Sequence, residues 1–208
     1  MLILTAASLV LLPTATFAAN MLVNAGFEDP ITTDGPPFVG FWESFNGTGA
    51  TAVNSPLLPR TGGQSLRVSI TDTINTFAGT FQDVPSLISG TPYIFSGWHT
   101  TTSNPLGVGV EFRIEWRNSV SDTEISRTPN STTSPLLTYS PFSLMATVPA
   151  GADTARVVYA IQSFSTVPLG NGVVYVDDVS FDVVPEPTTM VMLGLGGLII
   201  TARRRHRA

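Results

Sequence analysis

The chain has 208 residues, a net charge of −5 and no cysteine. All ten of its basic residues are arginine, and residues 19–187 hold six of them against all 15 acids, a net charge of −9. That balance argues against nucleic acid and anionic lipid surfaces as partners of the middle of the chain, and the missing thiols exclude disulfides and a cysteine nucleophile.

The first element in chain order is uncharged. Met1 to Phe17 is apolar or hydroxylic, and Thr16-Phe17-Ala18 stands before Ala19. Small residues at the third and first positions before a cut after Ala18 make residues 1–18 a signal peptide, with export through the Sec machinery. The positively charged start of such a segment is missing, so the reading expects a true start upstream of Met1.

Residues 19–184 then read as strands with no helix. In Val110 to Arg117, Val110, Phe112, Ile114 and Trp116 alternate with Glu111, Arg113, Glu115 and Arg117. Period-two patterning of this kind predicts a half-buried strand with a charge ladder on its exposed face. Further strands are predicted at 66–71, 76–84, 93–101, 144–148, 155–164 and 173–183. Turns separate them at Thr61-Gly62-Gly63, Ser89-Gly90-Thr91-Pro92, 149–153 and Gly170-Asn171-Gly172. Two long loops are expected, at 29–40 and 126–135. Some ten strands at such spacing predict an all-β fold, a two-sheet antiparallel sandwich of the jelly-roll kind, as one domain over 19–184.

The last segment, 185–208, has a different composition. Pro185-Glu186-Pro187 and two threonines precede an uncharged run from Met190 to Ala202, which Arg203, Arg204, Arg205, His206 and Arg207 close. The run is shorter than the roughly 20 residues of a free-standing span, but arginine can snorkel and a bilayer can thin. It is apolar all round, which favours a transmembrane helix over a core helix with a basic tip. The arginines after it belong on the cytoplasmic side, with everything before it outside. This order resembles the PEP-CTERM sorting signal of Gram-negative, exopolysaccharide-producing bacteria. The resemblance implies processing at Pro185, Glu186 and Pro187 by the membrane protease exosortase, with Arg203, Arg204 and Arg205 as the stop. It also implies a transient anchor in the inner membrane, then the cell surface or extracellular matrix.

The middle also has a recognisable frame. Leu22-Val23-Asn24-Ala25-Gly26-Phe27-Glu28 opens it, and Trp42 follows a loop. Then come Gly63-Gln64-Ser65-Leu66-Arg67-Val68, Phe81-Gln82-Asp83-Val84, Gly90 to Trp98, Tyr139-Ser140-Pro141-Phe142 and Val174 to Phe181. The ordered set is similar to the CenC-type carbohydrate-binding modules, jelly rolls of the galactose-binding-like class. Two implications follow. One is a structural Ca²⁺ between Glu28 and Asp177 or Asp178, since hard oxygen ligands suit this ion. Strand parity puts Asp177 with Tyr175, Val179 and Phe181 on one face and Asp178 on the other, so one Asp alone is expected to reach the site. The competing reading has these acids capping turns and accepting backbone hydrogen bonds.

The second implication is sugar binding. Sugars are held by aromatic faces with polar groups around them, and the candidates are Trp98, Tyr93, Tyr139 and Trp42, beside the polar row Glu111, Arg113, Glu115 and Arg117. Trp116 shares its phase with Phe112 and Ile114 and is assigned to the core. Catalysis is not expected. Outside the tail the one histidine is His99, and no serine sits in a Gly-x-Ser-x-Gly elbow. Glu111 and Glu115 on a straight strand stand about 13 Å apart, beyond the roughly 5–10 Å of glycosidase carboxylate pairs. A salt-bridge ladder with Arg113 and Arg117 explains them better. The sequence therefore reads as an exported, surface-sorted, non-catalytic carbohydrate-binding-like protein associated with extracellular polysaccharide. A structural envelope or matrix protein without a sugar site is the alternative, and a secreted hydrolase a distant third.

Overall fold

A computed structural model describes residues 19–164 and 170–184. The expected signal segment and the sorting tail from Pro185 onward lie outside these described residues. Ten strands follow one another: β1 (Glu43–Asn46), β2 (Ala50–Ser55), β3 (Ser65–Ile70), β4 (Phe77–Val84), β5 (Pro92–Thr101), β6 (Gly109–Asn118), β7 (Thr123–Arg127), β8 (Ser140–Thr147), β9 (Thr154–Gln162) and β10 (Gly172–Val183). They pair antiparallel in two sheets, β1-β4-β9-β6-β7 and β2-β3-β10-β5-β8. This is the all-β sandwich that the alternating pattern predicts.

The core lies between the sheets. β6 contributes Phe112, Ile114 and Trp116, β9 Tyr159 and Ile161, β3 Leu66, Val68 and Ile70, and β10 Val174, Val176 and Phe181. Each such side chain contributes about 1.5–3 kcal/mol by leaving water. Trp116 is core, as its phase indicates. Trp42 and Tyr93, two of the sugar-binding candidates, are core as well, which corrects the sequence reading. Trp42 tilts against Phe27 at 5.0 Å and donates its ring N–H to Asn24 O. Tyr93 stacks on Phe181 at 5.1 Å.

Three strands were not predicted. β1 has four residues, and β7 is exposed throughout, so neither shows an apolar period. In β2 the small Ala50 and Ala52 face the core while Val53 is exposed, which inverts the usual signal. The expected loop at 126–135 begins inside β7, and Ser131 then pairs with Phe112 along the edge of β6. β8 starts four residues before its predicted boundary.

Parity fails on β10. Its register against β5 shifts between Asp177 and Ser180, and Asp178 takes a left-handed φ of 48°. Val174 and Val176 face the core before this bulge, and Val179 and Phe181 face it afterwards. A bulge inserts one residue and turns the later side chains over. Asp177 and Asp178 consequently both reach the Arg60–Thr61 segment.

Candidate functional site

The outer face of β1-β4-β9-β6-β7 is built by three rows running across it. Phe45 stands opposite Gly79, Gly79 opposite Ala160, and Ala160 opposite Glu111. The next row is Phe81, Val158 and Arg113, and the third is Asp83, Arg156, Glu115 and Arg127. In the first two rows the β1 and β4 side is aromatic and β9 gives Ala160 and Val158, while the third row and the β6–β7 side are charged.

The aromatic half depends on a glycine. A Cβ at Gly79 would lie 2.6 Å from Phe45 Cζ and 2.6 Å from Tyr159 O. Only a hydrogen there lets the Phe45 ring lie down on the sheet. Phe45 sits 6.1 Å from both Phe77 and Phe81, and Phe38 packs edge-on against Phe81 at 5.0 Å. The result is a strip Phe77, Phe45, Phe81, Phe38, whose outermost ring is 42% exposed. Arg156 closes the other end, 4.1 Å over Phe81 and 4.9 Å over Phe38, while its fork holds Asp83 at 2.7 and 2.9 Å.

The charged half is a ladder. Arg113 donates to Glu111 and to Glu115 at 2.8 Å each, and Glu111 also accepts from Asn130 at 2.7 Å. Arg127 holds Glu124 at 2.6 Å through both arms, which keeps the Glu124 carboxyl below its ordinary range. Arg113 makes the predicted bridges to both glutamates, but Arg117, the other arginine expected in the ladder, pairs with Asp122 instead, and the face is not open as expected. Glu111, Arg113 and Glu115 are mostly buried, and Asn130 of the edge segment beside β6 reaches Glu111. With both glutamates bound to one guanidinium, neither is placed as a general acid or base.

The phenylalanines were not among the sequence candidates. The available signal is the run Phe77-Ala-Gly-Thr-Phe81-Gln-Asp83, in which Phe, Gly, Phe and Asp share one parity. Their apolar character points to the core unless the opposite parity, Ala78 and Val84, is seen to claim it.

The remaining candidates sit on the other sheet. Trp98 is half-buried on the outer face of β5, with the Arg60 guanidinium 4.0 Å over its ring. Tyr139 donates its hydroxyl to Leu58 O at 2.6 Å, and burial followed by the nearby Asp177 carboxylate pushes that hydroxyl pKa up. Both aromatic groups are covered by the segment Leu58–Thr61.

The carboxylates proposed for calcium meet at the same segment. Asp177 is buried and accepts from the backbone N–H groups of Arg60, Thr61 and Asp178 at 2.7, 3.2 and 2.7 Å. Burial still raises its pKa. Asp178 pairs with Arg60 and accepts from Thr61. Glu28 accepts from the N–H groups of Gly63 and Gln64 at 3.0 and 3.2 Å. A left-handed glycine at 62 is required, because a Cβ there would collide with the Glu28 carboxylate. Glu28 and Asp177 converge over Gly26, where a Cβ would stand 3.9 Å from Glu28 Oε1 and 3.6 Å from Asp177 Oδ1. In this structure both carboxylates accept backbone N–H groups, the arrangement of the competing reading, and their oxygens are of the hard type that Ca²⁺ takes. Among the described residues no cluster of three or more acids, histidines or cysteines forms.

His99 lies in the core. Its Nδ1 shares a hydrogen bond with Tyr159 Oη at 2.8 Å, Nε2 has no partner, and burial lowers its pKa to about 4.

Residues 183–205 match the PEP-CTERM protein-sorting motif, so the chain carries that signal at its C-terminal end. No curated protein matches the chain. Among solved structures, the enzymatically active domain of bacteriophage CBA120 tailspike protein 4 is similar with a TM-score of 0.60 at 13% identity, over 79% of this chain and 21% of that one. The chain thus spans about a fifth of that protein. The carbohydrate-binding module TmCBM61, in complex with β-1,4-galactotriose, gives 0.53 at 14% identity over 80% of this chain and all 100% of the module. The CBM22-1 xylan-binding domain from Paenibacillus barcinonensis gives 0.54 at 15% identity over 83% of this chain and 99% of that domain. At such identities the likeness is one of fold, a carbohydrate-binding-module jelly roll.

Proposed function

We propose that this is a surface-sorted protein whose sandwich binds extracellular polysaccharide without breaking bonds. Export, exosortase processing and a transient C-terminal anchor follow from the sorting motif. The observation that carries the binding reading is the phenylalanine strip beside a row of fixed polar groups. Sugar CH faces stack on rings, and the carboxylate and guanidinium edges fix hydroxyls. The arginines of this face are already matched by Asp83, Glu111, Glu115 and Glu124, so recognition runs through stacking more than through charge. Phe45 and Phe77 form the platform, replacing Trp98 and Tyr139, which are covered.

Calcium is a structural addition to this reading. Glu28 and Asp177 would hold the ion over Gly26, and Asp178 would remain with Arg60. Its chemistry there is charge compensation for a buried carboxylate.

The experiment is a titration of residues 19–184 against a panel of neutral and acidic bacterial exopolysaccharides, at low and high salt. Binding with little salt dependence supports the reading, since screening acts on exposed charges. No binding across the panel would replace it with the structural matrix protein. Release of reducing ends would replace it with the hydrolase.

A further inference from the structure

The end of the sandwich where β10 stops is built from three connections. Val184 N–H donates to Pro92 O at 3.0 Å, which fixes the residue before Pro185 at this end. The connection from β4 to β5 is tied there by Gly90 N–H to Val148 O and Leu87 N–H to Asp153 O, both 2.9 Å. The hairpin between β6 and β7 joins through Ser119, whose N–H and hydroxyl donate to Asp153 at 2.9 and 2.7 Å. The tips of these linked loops present Ile88, 67% exposed, and Val120, 94% exposed. The acids beside them are matched, Asp122 by Arg117 and Asp153 by Ser119.

Chain length says what this end faces. Five residues, 185–189, separate Val184 from the start of the apolar run at Met190. Fully extended they reach at most about 17 Å, of which the headgroup layer takes roughly 5–7 Å. The remaining gap of about 10 Å is no thicker than one packed sheet layer. It leaves no room for a folded partner between this end and the membrane.

We propose that, while the tail is anchored, the sandwich stands on the lipid surface with Ile88 and Val120 in the headgroup layer. The inference rests on the reading of the tail as an anchor. It sets the phenylalanine strip along the side of an upright domain, with Phe77 toward the end away from the membrane. Ile74 marks that far end, because the carbonyl of Ile74 and the N–H of Thr76 both bond Ser163, just beyond β9. β10 alone, 12 residues long, separates the two ends by about 40 Å.

The chain has no cysteine, so single-site labelling tests this directly. Ile88→Cys, Val120→Cys and Ile74→Cys variants of the full chain are labelled with an environment-sensitive dye and reconstituted in phosphatidylcholine vesicles. Flotation of the vesicles reports anchoring separately. In floated samples, a blue shift and quenching by headgroup spin-labelled lipid are expected for the first two variants and not for Ile74→Cys. Equal signals from all three, or none from any, would overturn the proposal. So would protection of positions 88 and 120 that appears only when the processing protease is added, which would make the occupant a protein. A chain that does not float contradicts the anchor reading and the docking together.

Discussion

Arg60 lies 4.0 Å over the ring of Trp98, held in place by its ion pair with Asp178. The ring that the sequence offers as a sugar platform is thus already stacked by a side chain of the same domain. Trp98→Ala is expected to leave glycan binding unchanged and to lower stability by about 1–3 kcal/mol, from lost packing and a cation–π contact. Binding measured beside a melting curve separates the two effects. Loss of binding at unchanged stability would return Trp98 to the site.

Chelation tests the cradle over Gly26. If Glu28 and Asp177 hold Ca²⁺, saturating ion at about 100 times its dissociation constant adds about 2.7 kcal/mol, which is several degrees in Tm for a domain of this size. Glu28→Gln is expected to abolish the response to chelator. Superimposable melting curves with and without chelator would leave both carboxylates as acceptors for the backbone N–H groups of 60, 61, 63 and 64.

His99 makes the fold acid-sensitive. Unfolded, its imidazole takes a proton near pH 6.5; folded, burial holds its pKa at about 4. Between these values the unfolded state binds more protons, so stability rises with pH and is lost on acidification. The contribution is fully present above about pH 6.5 and is lost as pH drops through 4. Its size is on the order of 3 kcal/mol. Chemical denaturation between pH 7.5 and 4 checks this, and His99→Gln is expected to flatten the slope. A wild-type slope unchanged in that variant would assign acid sensitivity to another group.

Replacing Pro185-Glu186-Pro187 with three alanines is expected to leave export intact and block processing, so that precursor accumulates in the inner membrane. Fractionation and immunoblotting read the outcome. Normal release of mature protein from that variant would remove the motif's assigned role.

The sandwich was legible because β6 alternates strictly and short apolar segments separated by turns recur along the chain, and buried apolar side chains on one parity leave few other folds. Trp116 was placed in the core by the same rule. The rule fails where the backbone departs from it, as at Asp178, where one inserted residue exchanges the two faces of β10. It also fails where chemistry and burial disagree. Trp42 and Tyr93 look amphipathic and are core, whereas Phe45 and Phe77 look like core and lie on the outer face. The deciding feature is Gly79, whose missing Cβ makes room for the Phe45 ring. Nothing local in the sequence shows that a glycine on β4 faces a phenylalanine on β1, because that contact depends on strand pairing.

The most direct test of the account is glycan affinity of the domain over residues 19–184 with Phe45→Ala and Phe77→Ala, singly and together. Each ring lies outside the core cluster, so folding is expected to survive. Loss of one stacking platform is expected to weaken binding about tenfold, which is about 1.4 kcal/mol, at nearly unchanged Tm. Undiminished affinity in the folded double variant would contradict the claim that this face binds the glycan.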